Sequence, residues 1–184
     1  MIVSETLWTH AFEAANFVST EINYAAPLET TGAVVKPEWI DHNGHMNVAF
    51  YLMAFDEAIG VAFNDIGLTK AYRRENQFAT FVGDFHIHYA RELLEGDPIR
   101  VTHQLVNFDE KRLHFCQAMY HGTEGYLAAR SELISIHIDM RVRRVAPMAP
   151  HVYENVKRLG EAHATLPKPP NLGRTIEMKR RDAN

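Results

Sequence analysis

From residue 48 to residue 66 the chain reads VAFYLMAFDEAIGVAFNDI. Val48, Leu52, Phe55, Ile59, Ala62, Phe63 and Ile66 recur there at intervals of three and four. That period predicts a helix. Its other side is not polar, because Phe50, Met53, Ala54 and Val61 stand there among Asp56, Glu57 and Asn64. A helix apolar nearly all round is buried nearly all round, and this one is too short to span a bilayer. Other elements of the same protein, or a second subunit, have to wrap it.

The wrapping is written downstream in a different period. ATFVGDFHIHY (79–89) alternates, with Phe81, Phe85, Ile87 and Tyr89 pointing one way and Val82, Asp84, His86 and His88 the other. PIRVTHQLV (98–106) alternates through Ile99, Val101, His103 and Leu105, and RLHFCQAMY (112–120) places Leu113, Phe115 and Met119 on one face. YLAARSELISIHIDM (126–140) alternates through Ile134, Ile136, Ile138 and Met140, and RVRRV prolongs that strand. Long strands joined by short turns make an antiparallel meander, and a sheet with one apolar face needs a cover. Upstream, TGAVVKPEW predicts a strand over 31–36. Residues 5–20 carry Leu7, Ala11, Ala14, Ala15 and Val18 at helical spacing. Pro147 and Pro150 end the sheet, 151–160 reads as a last short helix, and the Pro-rich, basic end reads as loose. The expected fold is α+β: a hot-dog arrangement, an antiparallel sheet wrapped around a long central helix. The expected parts are an N-terminal helical extension (1–29), the hot-dog domain (30–150), and a C-terminal short helix with a loose tail (151–184).

Composition narrows the partners. With 184 residues, 46% hydrophobic and 23% charged, the chain suits one globular domain with a proper core. With a net charge of -4, nothing argues for nucleic acid or an anionic membrane as partner, and neither is expected. The one cysteine, Cys116, excludes an internal disulfide and fits a reducing compartment. The N-terminal stretch lacks a signal-peptide pattern. A cytoplasmic protein is the expectation.

The chemistry crowds into WIDHNGHMNVAFY, residues 39–51, at the start of the apolar helix. Asp41, Asn43 and Asn47 are ordinary capping types, and Asn43 or Asn47 suits that task. Asp41-His42-Asn43-Gly44-His45-Met46-Asn47, followed by Tyr51-Leu52 and Phe55, resembles the acyl-CoA thioesterases of the hydroxybenzoyl-CoA type. In many relatives the segment carries two acids. Here Trp39 stands at the first and Asp41 at the second, the position that carries catalysis in that family. The stretches HYARELLEGDPIRV, DEKRLHFCQAMYH, EGYLAARSEL and HIDMRVRRVAPMAP are similar to one subgroup, the betainyl-CoA thioesterases of carnitine breakdown. The resemblance implies an acyl-CoA substrate and sites formed between two subunits, and thioester chemistry itself calls for no cofactor. Phe50, Met53 and Val61 leave apolar surface beyond the meander's reach and the first strand offers an edge, so a homodimer, or a dimer of dimers, is expected to bury both.

Thioester hydrolysis needs a nucleophile or base, a cradle for the oxyanion, and a thiolate that leaves easily. The first amides of a helix are unpaired and sit at the positive end of its dipole. Gly44 permits close approach, so the amides from Met46 to Val48 suit the oxyanion. Asp41 can attack the carbonyl or deprotonate water, with Asn43, His45 and Asn47 as positioning groups. Gly44, Met46, Tyr51 and Phe55 are the expected substrate wall. A trimethylammonium acyl group would need aromatic faces, drawn from Trp39, Phe50, Tyr51, Phe55, Tyr72, Phe78 and Phe81. Trp39 is preferred because it stands two residues from Asp41. Arg141, Arg143 and Arg144 are either contacts to a CoA phosphate or a solvated strand end.

Three other groupings weigh less. Asp84, His86 and His88 share one strand face, and Ser135, His137 and Asp139 another. Imidazole and carboxylate suit zinc or iron, but alternating polar residues on an open sheet face are commoner, and no metal is expected. His114 and Cys116 share a face without implying a nucleophile pair, and Glu57 is a rival carboxylate that a solvated helix face explains. The alternative to an enzyme is a non-catalytic hot-dog protein that binds a CoA thioester or metabolite; such a binder would not need an acid at position 41.

Overall fold

In the computed structural model, residues 22–170 and 172–178 are described. The apolar run forms helix α1, Val48–Asn64, and its buried residues are Tyr51, Ala54, Phe55, Ala58, Ile59, Ala62 and Phe63. The buried stripe is therefore rotated from the expected one. Ala54 belongs to it, while Val48 and Leu52 stand exposed. The run is apolar on so many sides that spacing alone does not fix which stripe turns inward.

Five strands make the wrapping: β1 (Leu28–Val34), β2 (Phe78–Tyr89), β3 (Pro98–Phe108), β4 (Arg112–His121) and β5 (Leu127–Asp139). All pair antiparallel in the order β1-β3-β4-β5-β2, so β1 and β2 are the two edges. A short helix, α2 (Lys70–Asn76), joins α1 to β2. Thr69 caps it by accepting the Tyr72 N–H at 3.0 Å. Its sequence, KAYRREN, has no apolar period and buries only Tyr72, which is why the pattern did not announce it.

Two strand faces differ from expectation. In β5 the residues on the α1 side are Ser131, Leu133, Ser135 and His137, while Ile134 and Ile136 lie half-buried on the outer face. Two of these buried polar side chains have clear partners: Ser131 Oγ donates to Gln117 Oε1 at 2.7 Å, and the His137 Nδ1–H donates to the Ala146 carbonyl at 2.9 Å. A satisfied hydroxyl or imidazole is buried without penalty, so apolar alternation alone chose the wrong side. In β2 a bulge between Val82 and Asp84 pairs Phe81 with Ile136 but Phe85 with Leu133. Phe81 and Phe85 thus fall on opposite faces, because the extra residue at Gly83 resets the alternation. RVRRV does not prolong β5. The chain turns after Asp139, with Arg143 left-handed at φ 52°, and β6 (Arg144–Val145) folds back on Ile138 and Asp139.

Helix α3 (Pro150–His163) is longer than expected and buries Val152, Val156, Leu159 and His163. His163 fastens it: Nδ1 accepts the Leu105 N–H at 2.7 Å and Nε2–H donates to the Ala25 carbonyl at 2.9 Å. The tail then meets the outer face of the sheet at two points. Pro167 O accepts from Gln104 Nε2 at 3.2 Å, and Gly173 N–H donates to Glu132 Oε2 at 2.9 Å. The helix expected over 5–20 lies outside the described residues.

Beneath the middle of α1 runs a row of buried polar side chains from four strands. Thr30 Oγ1 donates to the Ala58 carbonyl at 3.3 Å and lies 3.0 Å from His103 Nε2. Gln117 Nε2 bonds both His103 Nδ1 and the Phe55 carbonyl, each at 3.1 Å. With Thr30 donating to α1, the imidazole is neutral and carries its proton on Nε2. On either side of this row the apolar core divides into a cluster at the start of α1 and another at its end.

Candidate active site

The segment 40–47 is a tight turn pinned to the body. Ile40 and Met46 form an isolated antiparallel bridge. The Asp41 N–H donates to the His45 carbonyl, and the Gly44 N–H to the Asp41 carbonyl, each at 3.0 Å. Gly44 takes φ +82°, where a Cβ would meet nothing within 4 Å. The backbone conformation, not a lack of space, calls for glycine there. Two bonds of 2.8 Å anchor the turn, Met46 N–H to the Leu93 carbonyl and Asn47 N–H to the Trp39 carbonyl.

Asp41 does not cap α1. Asn47 does, with its Oδ1 accepting the Ala49 N–H at 3.0 Å. The Asp41 carboxylate instead takes the Asn43 N–H on Oδ1 at 2.7 Å and faces Asn47 Nδ2 from Oδ2 at 3.4 Å. The Asn43 N–H, with the nearby His45 and His42, holds this partly exposed carboxyl below its ordinary pKa. At neutral pH it is an anion, the form required of either a nucleophile or a base. In the first turn of α1, Ala49 N–H is taken by Asn47 Oδ1 and Phe50 N–H by the Asn47 carbonyl. Among the described residues Val48 N–H has no acceptor. An anionic carboxylate, tied to the cap residue Asn47, and a helix-end donor at the next residue therefore belong to one short segment.

Some of the other expected residues stand deeper. Trp39 is 2% exposed and stacks on Phe50, with ring centroids 5.5 Å apart. Met46, Tyr51 and Phe55 are also core. Asn43 and Gly44 are exposed, and His45, partly buried, places Nδ1 3.2 Å from the Met46 carbonyl. The three arginines are elsewhere. Arg141 is paired with Asp139, Arg143 lies over the Phe81 ring at 6.0 Å, and Arg144 is in β6. They follow the end of β5, whose start is where the Ala90 N–H reaches the Ala128 carbonyl. Thirteen residues of strand, about 40 Å at the usual rise, separate those ends, so one chain does not bring the arginines to Asp41.

Two residues beside the site escaped the sequence pattern. Leu93, fully buried, holds the turn through both backbone groups: its carbonyl accepts Met46 N–H, and its N–H donates to Tyr51 Oη at 3.0 Å. Burial pushes the Tyr51 phenol up to about 12, which keeps it neutral. Tyr89 Oη donates to the Val48 carbonyl at 3.2 Å. The paired leucines inside the polar RELLEGD segment were the available signal for the first, and the strand-end position for the second.

The remaining groupings do not converge. β2 and β5 pair, but His86 lies opposite Glu132 while His137 lies opposite Thr80 on the other face. Among the described residues no three His, Cys, Asp or Glu side chains gather as a metal site. His114 bonds Glu132 at 2.8 Å. Burial and the Glu132 charge raise the Cys116 thiol to about 12, so it is not a thiolate. No helix among the described residues is long and apolar enough to cross a membrane.

Residues 35–156 match the family model of the thioesterase-like superfamily. The chain is 37% identical over 151 residues to the betainyl-CoA thioesterase of Pseudomonas aeruginosa, covering 82% of this chain and 95% of that one. It is 29% identical over 169 residues to the L-carnitine dehydrogenase/betainyl-CoA thioesterase of Rhizobium meliloti, covering 92% of this chain and 34% of that longer protein. Among solved structures, a Staphylococcus aureus protein in complex with CoA superposes with a TM-score of 0.78 at 26% identity, over 87% of this chain and 100% of that one. By these matches, and by the curled sheet that holds α1, the chain belongs to the thioesterase-like superfamily and is a thioester hydrolase of the hot-dog fold.

Proposed function

We propose that this protein hydrolyses a small acyl-CoA, and that the acyl group is betaine. One observation carries the chemistry: Asp41 is released from capping by Asn47 and lies ionised beside the helix start where Val48 N–H is free. The Val48 amide polarises the thioester carbonyl. Asp41 then either attacks the carbonyl carbon, giving a mixed anhydride that water opens, or takes a proton from water as hydroxide adds. In both routes CoA leaves as thiolate, which needs little acid help at a pKa near 8.5. Asn43, His45 and Asn47 position Asp41, and Trp39, Met46, Tyr51 and Phe55 back the wall behind it. The choice of betaine is supported by the 37% identity to the Pseudomonas aeruginosa enzyme. A cytoplasmic location suits a CoA thioester.

The working unit in this reading is a homodimer. β2 is a twelve-residue edge strand with a free side. Two copies joined along it about a two-fold axis perpendicular to the sheet run antiparallel. That sets the Arg141–Arg144 end of one subunit beside the Tyr89 end of the other, so the arginines reach the CoA phosphates of the neighbouring site.

The test is thiol release from betainyl-, acetyl- and octanoyl-CoA. The highest kcat/KM is expected on betainyl-CoA, with Asp41→Asn losing at least ~100-fold in turnover, the scale for a missing base. Its thermal unfolding should match wild type because the cap is Asn47. No release from any thioester would leave a protein that binds CoA thioesters without cleaving them, and a preference for octanoyl-CoA would remove the betaine reading alone.

A further inference from the structure

A betaine acyl group presents a problem of recognition. Its trimethylammonium has no N–H, so no carbonyl or hydroxyl can read it by hydrogen bonding, and aromatic faces are the usual answer. Its nitrogen also lies only two bonds, roughly 2.5 Å, from the reacting carbonyl carbon. With the carbonyl held at Val48 N–H, the ring that meets the cation has to stand at the first turn of α1.

Most aromatics there are committed. Trp39, Tyr51 and Phe55 are buried, and Phe50 is stacked against Trp39. Tyr126 already carries the Arg91 guanidinium over its ring at 3.8 Å. Tyr89 differs: it is 45% exposed. Its hydroxyl is tied to the Val48 carbonyl at 3.2 Å, and its ring is braced edge-on by Tyr51 at 5.2 Å between centroids. It is thus fixed to the same turn that offers the oxyanion donor, and it donates its hydroxyl proton, which leaves the ring electron-rich.

We propose that Tyr89 is the specificity residue that selects a quaternary ammonium acyl group, its ring face meeting the trimethylammonium while Val48 N–H holds the carbonyl. This rests on the thioesterase reading.

The test compares kcat/KM on betainyl-CoA and on 3,3-dimethylbutanoyl-CoA, which replaces the nitrogen by carbon at nearly equal size. Wild type should favour the cation. Tyr89→Leu should lower the cation-to-neutral ratio on the order of tenfold, the effect of a desolvated cation–π contact. Tyr89→Phe, which keeps the ring, should leave the ratio within about threefold of wild type on the same scale, and it remains informative if the leucine variant folds poorly. Equal losses on both substrates, or an unchanged ratio in Tyr89→Leu, would overturn the proposal. So would a collapse of both rates in Tyr89→Phe, which would make the hydroxyl anchor the whole role. Wild type that releases thiol from neither substrate would overturn the thioesterase reading and this inference together.

Discussion

Asn47 touches Asp41 and the first turn of α1 with one side chain, Nδ2 at 3.4 Å from the carboxylate and Oδ1 at 3.0 Å from Ala49 N. Cap and acid can therefore be separated by substitution. Asn47→Ser keeps a capping oxygen and removes the link to Asp41. Stability should change by only a few tenths of a kcal/mol while turnover falls. Asn47→Ala should add a loss of about 1 kcal/mol in unfolding free energy for the missing cap. Denaturant melts beside steady-state rates check both.

The pH–rate profile should be flat from neutral into acid. Asp41 must be ionised to act, and its pKa is depressed, chiefly by the Asn43 N–H. Activity is therefore lost only as pH falls below the usual aspartate value of about 3.9. kcat/KM at pH 5 should match that at pH 7. A limb centred near 6 would transfer the role of base to a histidine. Asn47→Asp puts a second anion beside Asp41 and should move the acid limb upward.

Stability should decline well before that limb. Burial lowers His103 from 6.5 to about 3. Below pH 6.5 the unfolded chain binds a proton there that the folded protein refuses, so stability falls with falling pH until about 3. The linkage amounts to about 2 kcal/mol at pH 5 from this group, and His137 and His163, also lowered by burial, act in the same direction. Unfolding measured at pH 7 and pH 5 should show the loss, and His103→Gln, though less stable at pH 7, should show a shallower slope.

Light scattering at micromolar concentration should give twice the chain mass of 21.0 kDa, or a multiple of it. A charged residue on the free edge of β2, such as Val82→Lys, should shift the mass toward monomer and lower activity together. A fully active monomer would contradict the shared site.

Much of this architecture was legible in the chain because period and length carry it: a long run at helical spacing, then four alternating segments with short turns. What was not legible was which side faces in. β5 buries Ser131 and His137 because each finds a hydrogen-bond partner, Gln117 for the first and Ala146 and Tyr72 for the second, and partners contributed by other elements are invisible to alternation. One extra residue at Gly83 reversed half of β2. At the site, the segment 41–48 could be named from its residue types, but not the division of labour between Asp41 and Asn47, which depends on how the turn closes. Tyr89, at the end of β2, and Leu93, in the loop after it, arrive from some forty residues away, and only the folded chain brings them to α1.

The polar row under α1 bears on more than packing. Hydrophobic attraction has no direction, so a helix greasy on nearly every side has little to stop it rolling or slipping in its trough. The bonds from Thr30 and Gln117 to the Ala58 and Phe55 carbonyls act as a key in a shaft. A slip of one residue would turn the helix by about 100° and swing Val48 N–H away from Asp41. In the proposed mechanism, the aim of the Asp41 end is thus set two turns away, in the middle of the molecule.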